Sequence, residues 1–236
     1  MTTSTNENAI TQRKTGGALA DGLTLVRALL TPVIMFIIIK AWSPKPGDID
    51  GFVSLDIKLV LLASFLFAVA AVTDILDDYF GGSASSGERQ FGWIDDIADS
   101  ALIAGTLLAL VYVANKAGAL HWTFAVPVAV YIGRDVILAL TKGYEMSKFG
   151  LTQTRLGDLK SALAMLATCI LVAAPWLSGL VDTWRAGRAE NIMQIYDNPS
   201  TWVWNTGLAV LWIAALLALV TGWKLLRSTA KQENQT

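Results

Sequence analysis

Six runs of mostly apolar residues, each near the roughly 20-residue length that crosses a hydrocarbon layer as a helix, alternate with polar segments along this chain. They cover Leu23–Trp42, Ile57–Leu76, Ile94–Ala114, Trp122–Leu140, Leu159–Leu180 and Val203–Leu226. The pattern predicts an all-α integral membrane protein of six transmembrane helices. Residues 43–56 are rich in Pro, Gly and Asp and read as a loop. Residues 181–201 are longer and mixed, with room for a short interfacial helix. Trp42, Trp122, Trp176, Trp184, Trp202, Trp204 and Trp223 gather near span ends, as an aromatic belt requires.

Composition agrees with that class. Only 16% of the residues are charged and 54% are hydrophobic, with a mean hydropathy of +0.50, whereas a soluble domain carries about 25% charge. A net charge of −1 gives no sign of a nucleic-acid partner. The single cysteine, Cys169, lies in an apolar run and reads as a packing residue. Residues 1–20 are polar, lack the apolar core of a signal peptide and are expected to form a flexible tail. The membrane domain is then 21–227, followed by a polar tail, 228–236.

An even number of spans puts both termini on one side with the second and fourth connections. That side carries ten lysines and arginines against six on the other, the remaining two of the 18 (Arg27 and Arg134) falling inside spans. Positive charge favours the cytoplasmic side, so a multi-pass protein of the inner (cytoplasmic) membrane with cytoplasmic termini is expected.

The chemistry concentrates between the second and third spans. Six aspartates lie within 26 residues: Asp74, Asp77, Asp78, Asp95, Asp96 and Asp99. Asp74 and Asp77 are three apart and Asp95 and Asp99 four apart, so each pair shares one helix face. Converging like charges repel unless a cation lies between them. Four carboxylates supply hard oxygen ligands, which suit Mg²⁺, Mn²⁺ or Ca²⁺ rather than zinc. His121, far away at the start of the fourth span, reads as an interfacial residue. Solvated helix ends with adventitious acids explain Asp95, since acids favour helix N-termini, but not Asp74, which is costly near the end of an apolar helix.

The spacing resembles the signature of the CDP-alcohol phosphatidyltransferases, D-x2-D-G-x2-A-R-x8-G-x3-D-x3-D, with all four acidic positions matched by Asp74, Asp77, Asp95 and Asp99. The non-acidic positions depart from it: Asp78 stands where the family has Gly, Gly81 where it has Ala, Gly82 where it has Arg, and Phe91 where it has Gly. Leu23–Val33, with Arg27 and Pro32, resembles the family's first-helix pattern. Tyr131–Val136 resembles its Gly-Arg-acidic step, and Arg155–Ala162 the segment that opens its fifth helix. By these accessory motifs the nearest subgroup is the phosphatidylglycerophosphate synthases, with cardiolipin synthases close by.

The resemblance implies a six-helix, usually dimeric enzyme using two Mg²⁺ or Mn²⁺ ions. Such an enzyme transfers a phosphatidyl group from CDP-diacylglycerol to a small polar alcohol, with glycerol 3-phosphate the best guess, and releases CMP. It assigns Asp74, Asp77 and Asp95 as metal ligands and Asp99 as ligand and base for the acceptor hydroxyl. The nucleotide would meet Asp78, Gly81 and Gly82. With the family's Arg absent, either the pocket is rebuilt around Arg89, or the donor differs, or the chain is a degenerate metal- or lipid-binding member.

The cations divide less sharply. Arg134 lies inside a span, where a charge needs a partner; Asp135 points elsewhere on the same helix, so a carboxylate or phosphate on another element is expected. Arg155 and Lys160 can hold an acceptor phosphate, or serve as an ordinary positive-inside loop. Arg27 carries the same ambiguity. A cation transporter is a third class, less attractive because transporters hold such acids at the bilayer midplane.

Overall fold

The computed structural model describes the backbone of residues 4–42, 55–81, 92–149, 155–186 and 201–233, and side chains within 22–42, 55–74, 97–138, 140, 156–184 and 201–224. Six helices account for it: α1 (Ser4–Ala41), α2 (Ile57–Gly81), α3 (Gly92–Lys116), α4 (Trp122–Phe149), α5 (Arg155–Ala186) and α6 (Trp202–Glu233). No strand occurs among the described residues. Five of the helices are long and apolar enough to cross a membrane, over Gly22–Ala41, Ile57–Asp74, Ile97–Lys116, Leu156–Trp184 and Trp202–Lys224. The remaining helix, α4, carries Arg134 and Asp135 at mid-length. The protein is a multi-pass membrane protein, and its exposed Leu25, Phe36, Phe65, Leu140 and Leu216 face lipid rather than water.

The helices overrun the expected spans. Residues 4–20, expected as a flexible tail, continue α1 as helix, and α6 runs on to Glu233. Once an apolar segment has nucleated a helix, each further residue adds a hydrogen bond at little cost. The short helix expected within 181–201 falls mostly outside the described residues.

Each helix buries one stripe. On α1 the inward positions are Thr24, Arg27, Thr31, Ile34, Ile38 and Ala41, a spacing of three and four that keeps one face toward the bundle. On α2 the row is Val60, Ala63, Phe67 and Ala70. α1 packs on α2 and α3, α5 on α6 and α2, and α4 on α6 and α3. Glycine sets two of these approaches. A Cβ at Gly105 of α3 would lie 2.8 Å from Met35 Sδ on α1, and one at Gly207 of α6 would lie 2.9 Å from Leu171 on α5.

Polar stitches hold the rest. Asp56 caps α2, its carboxylate accepting from the backbone N–H of Lys58 at 3.1 Å and of Leu59 at 3.4 Å, while its own N–H donates to Ala41 O at the end of α1. α3 is closed off by Gly118, two residues past its end, whose φ of 66° permits the N–H of Gly118 and Ala119 to return to the carbonyls of Asn115 and Ala114. Pro127 has no N–H to give Thr123 O, and Trp212 of α6 supplies one at 2.9 Å instead. Trp176 Nε1 of α5 donates to Ser64 Oγ of α2 at 3.1 Å. The Asp56–Ala41 and Trp176–Ser64 contacts set the start of α2 beside the end of α1 and the later part of α5, so the end of α2, the start of α3 and the start of α5 meet at the opposite end of the bundle.

Candidate active site

Asp74 extends the inward row of α2 by one turn beyond Ala70, and Asp99 follows buried Ala98 at the start of α3. The two carboxylates, 29% and 26% exposed, therefore lie where a packed interface opens. Between them is Arg27 of α1, fully buried, whose Nη1 donates to Oδ1 of both Asp74 and Asp99. Thr31, one turn further along α1, bonds back to the Arg27 carbonyl at 3.0 Å. Arg27 was grouped with the phosphate-binding cations in the sequence; the fold places it on the carboxylates.

A second charged cluster spans α4 and α5. Arg134 Nη1 donates to Asp135 Oδ1 at 2.5 Å, and Lys160 Nζ lies 3.3 Å from the same oxygen. Lys160 is only 5% exposed, with its ammonium 4.8 Å from the centre of the Tyr131 ring. The expectation that Arg134 would find its partner on another helix is corrected by this geometry. The Arg134 stem crosses Gly222 of α6, where a Cβ would meet its Cγ at 3.0 Å, and the guanidinium reaches its own neighbour. The partner on another element belongs to Asp135, through Lys160. Reading Asp135 as pointing away from Arg134 hid its role. The available signal was an acid inside an apolar run, which needs a cation somewhere.

The other expected residues are placed only in part. Asp77 and Asp78 lie on α2 three and four residues past Asp74, Gly81 ends that helix, and Asp95 lies on α3 one turn before Asp99. Their side chains, and that of Arg155, are outside the described set, and Gly82 and Arg89 fall in the undescribed 82–91. Among the described residues no group of three or more metal-ligating side chains forms. His121 is exposed and caps α4, its Nδ1 2.9 Å from Thr123 Oγ1 and its carbonyl accepting from Phe124 N.

The donor set nonetheless suits a hard cation. Asp74 and Asp99 come from different helices yet share one positively charged nitrogen, so a single cation position serves both oxygens. Helical spacing carries Asp77 and Asp95 on the same faces as Asp74 and Asp99.

Apolar helices that end in convergent acids, with a buried lysine and a half-buried arginine on the adjacent pair, mark a protein built for charged chemistry at the edge of a bilayer. The chain belongs to the CDP-alcohol phosphatidyltransferase family, which it matches over residues 17–220, and it is an enzyme of that class. It is similar to the CDP-diacylglycerol–glycerol-3-phosphate 3-phosphatidyltransferase of Cereibacter sphaeroides, 31% identical over 227 residues, covering 87% of this chain and 92% of that protein. The protein of the same name from Escherichia coli K12 is 27% identical over 211 residues, covering 87% of this chain and 89% of its own.

Proposed function

We propose that this enzyme transfers the phosphatidyl group of CDP-diacylglycerol to glycerol 3-phosphate, releasing CMP and forming phosphatidylglycerophosphate. The observation that carries the reading is the convergence of Asp74 and Asp99 on one cation position at the bundle end that also holds Lys160. The names of the two bacterial relatives support the choice of acceptor.

Asp99 takes the proton of the acceptor's terminal hydroxyl as its oxygen attacks the phosphatidyl phosphorus. A P–O bond forms to the acceptor, the bond from that phosphorus to the bridging oxygen breaks, and CMP leaves with the electron pair. Asp74, Asp77, Asp95 and Asp99 would hold two Mg²⁺ or Mn²⁺ ions, which supply charge neutralisation to the diphosphate when bound. Lys160 and Arg134, with Arg155 at the start of α5, are the acceptor-phosphate set. Both already share Asp135, and a dianionic phosphate competes for them in charge-assisted bonds. The active-site end is cytoplasmic by the distribution of Lys and Arg, and a homodimer follows from the family resemblance.

A second reading has its own observation. Asp78, Gly81 and Gly82 replace the family's Gly, Ala and Arg, so the nucleotide half of the site differs from the signature. A degenerate member would bind metal or lipid without turnover. A CMP-release assay of purified protein with CDP-diacylglycerol, Mg²⁺ and a panel of acceptors separates the two. CMP release that depends on glycerol 3-phosphate supports the transferase; metal binding with no release from any acceptor rejects it.

A further inference from the structure

Tyr131 lies three and four residues before Arg134 and Asp135, which puts all three on one face of α4. Its side chain is buried at 1% exposure, and its hydroxyl makes no hydrogen bond of ordinary geometry among the described residues. The surroundings of that oxygen are anything but apolar. Asp99, Arg134 and Asp135 all act on it electrostatically, and Ser161 of α5 lies beside it. Lys160, one residue before Ser161, covers the ring face. The hydroxyl thus lies in the field of both the base of the proposed reaction and the proposed phosphate cations.

A buried hydroxyl without a well-made hydrogen bond is costly, and phenylalanine would fill the same space without that cost. Packing alone does not account for a tyrosine here. No ion pair uses its oxygen, and the hydroxyl of Ser161 on α5 meets it only outside ordinary hydrogen-bond geometry. What remains is a ligand that brings its own partner. An acceptor spanning from Asp99 to Lys160 has one hydroxyl at the base and a phosphate at the cations. The group between them lies over Tyr131.

We propose that the Tyr131 hydroxyl hydrogen-bonds the acceptor's second hydroxyl, the one between the attacking oxygen and the phosphate, and so selects vicinal diol phosphates over simple hydroxyalkyl phosphates. This rests on the acceptor reading above. Arrival of a phosphate draws Lys160 and Arg134 from Asp135 and uncovers the phenol. Tyr131 can then donate to, or accept from, a neutral hydroxyl without changing its own charge. A site built around such a bond disfavours the analogue that lacks the hydroxyl, because the phenol is again left unmatched.

The test compares wild type and Tyr131→Phe with glycerol 3-phosphate and with 3-hydroxypropyl phosphate, which lacks the middle hydroxyl. In wild type, kcat/KM favours glycerol 3-phosphate by about tenfold or more, the scale of one hydrogen bond. In Tyr131→Phe, KM for glycerol 3-phosphate rises about tenfold and the preference collapses, while KM for CDP-diacylglycerol and Mn²⁺ affinity stay unchanged. The variant's thermal midpoint without acceptor equals or exceeds that of wild type. A Tyr131→Phe enzyme that keeps the preference, or one that loses stability instead, overturns the inference and leaves the transferase reading intact. Wild type that releases no CMP with glycerol 3-phosphate overturns both.

Discussion

Arg27 on α1 donates through Nη1 to Asp99 on α3, 72 residues away in sequence, and the same nitrogen reaches Asp74 on α2. One fully buried guanidinium thus ties together the helices that carry the outer two acids of the tetrad. Opposed carboxylates on adjacent helices repel, and here the Arg27 guanidinium stands between them.

Removing that cation leaves two partly buried carboxylates facing each other. For Arg27→Met the expected loss of stability in detergent is about 2–3 kcal/mol, below the usual cost of breaking a buried pair because both acids are partly exposed. Adding Mn²⁺ should restore part of the thermal midpoint, by binding only the folded form. Thermal unfolding with and without metal measures both effects. An unchanged midpoint would mean that the pairing contributes nothing to the fold.

Asp99→Asn keeps the shape and removes the proposed base. The expected result is a fall in kcat of about 10²–10⁴-fold with the helical content and detergent-solubilised stability close to wild type. Single-turnover CMP release, read beside circular dichroism, distinguishes lost chemistry from lost fold.

Lys160→Met removes the ammonium that lies 3.3 Å from Asp135 while keeping a long apolar stem. KM for the phosphate-bearing acceptor should rise about 10- to 100-fold, the worth of a charged hydrogen bond, with KM for CDP-diacylglycerol little changed. Equal effects on both substrates would place Lys160 outside the acceptor site.

Two glycines carry predictions about the fold alone. Gly118→Ala forces a side chain into a φ of 66° at the end of α3 and should cost about 1 kcal/mol. Gly207→Ala puts a Cβ 2.9 Å from the Leu171 side chain and should cost about 1–3 kcal/mol, as overpacking does. Thermal midpoints of the purified variants read both.

Much of this was legible in the chain because helical spacing is local. Asp74 and Asp99 could be assigned to inward faces near span ends from their own helices. What brought them together was not local. The partner of Arg27 depends on α1 lying against α2 and α3, a packing choice set partly by Gly105, which admits Met35. The pairing of Arg134 with Asp135 has a non-local cause of a related kind. A long arginine stem can bend back to its neighbour when a glycine on another helix, Gly222, leaves it room. Helix ends are not legible either, since polar residues 4–20 join α1 by propagation rather than by any apolar signal of their own. Tyr131 stands in the chain only as the first residue of the Tyr131–Val136 segment; its buried, poorly matched oxygen near three charges emerges from the packing.

The central claim is that the carboxylates on α2 and α3 activate an acceptor hydroxyl against CDP-diacylglycerol. The most direct measurement is CMP release and lipid-product formation by purified protein with CDP-diacylglycerol, glycerol 3-phosphate and Mg²⁺, run in parallel on Asp99→Asn. The account expects CMP and phosphatidylglycerophosphate in equal amounts from wild type and almost none from the variant. No CMP from wild type, or equal turnover by both proteins, would contradict it.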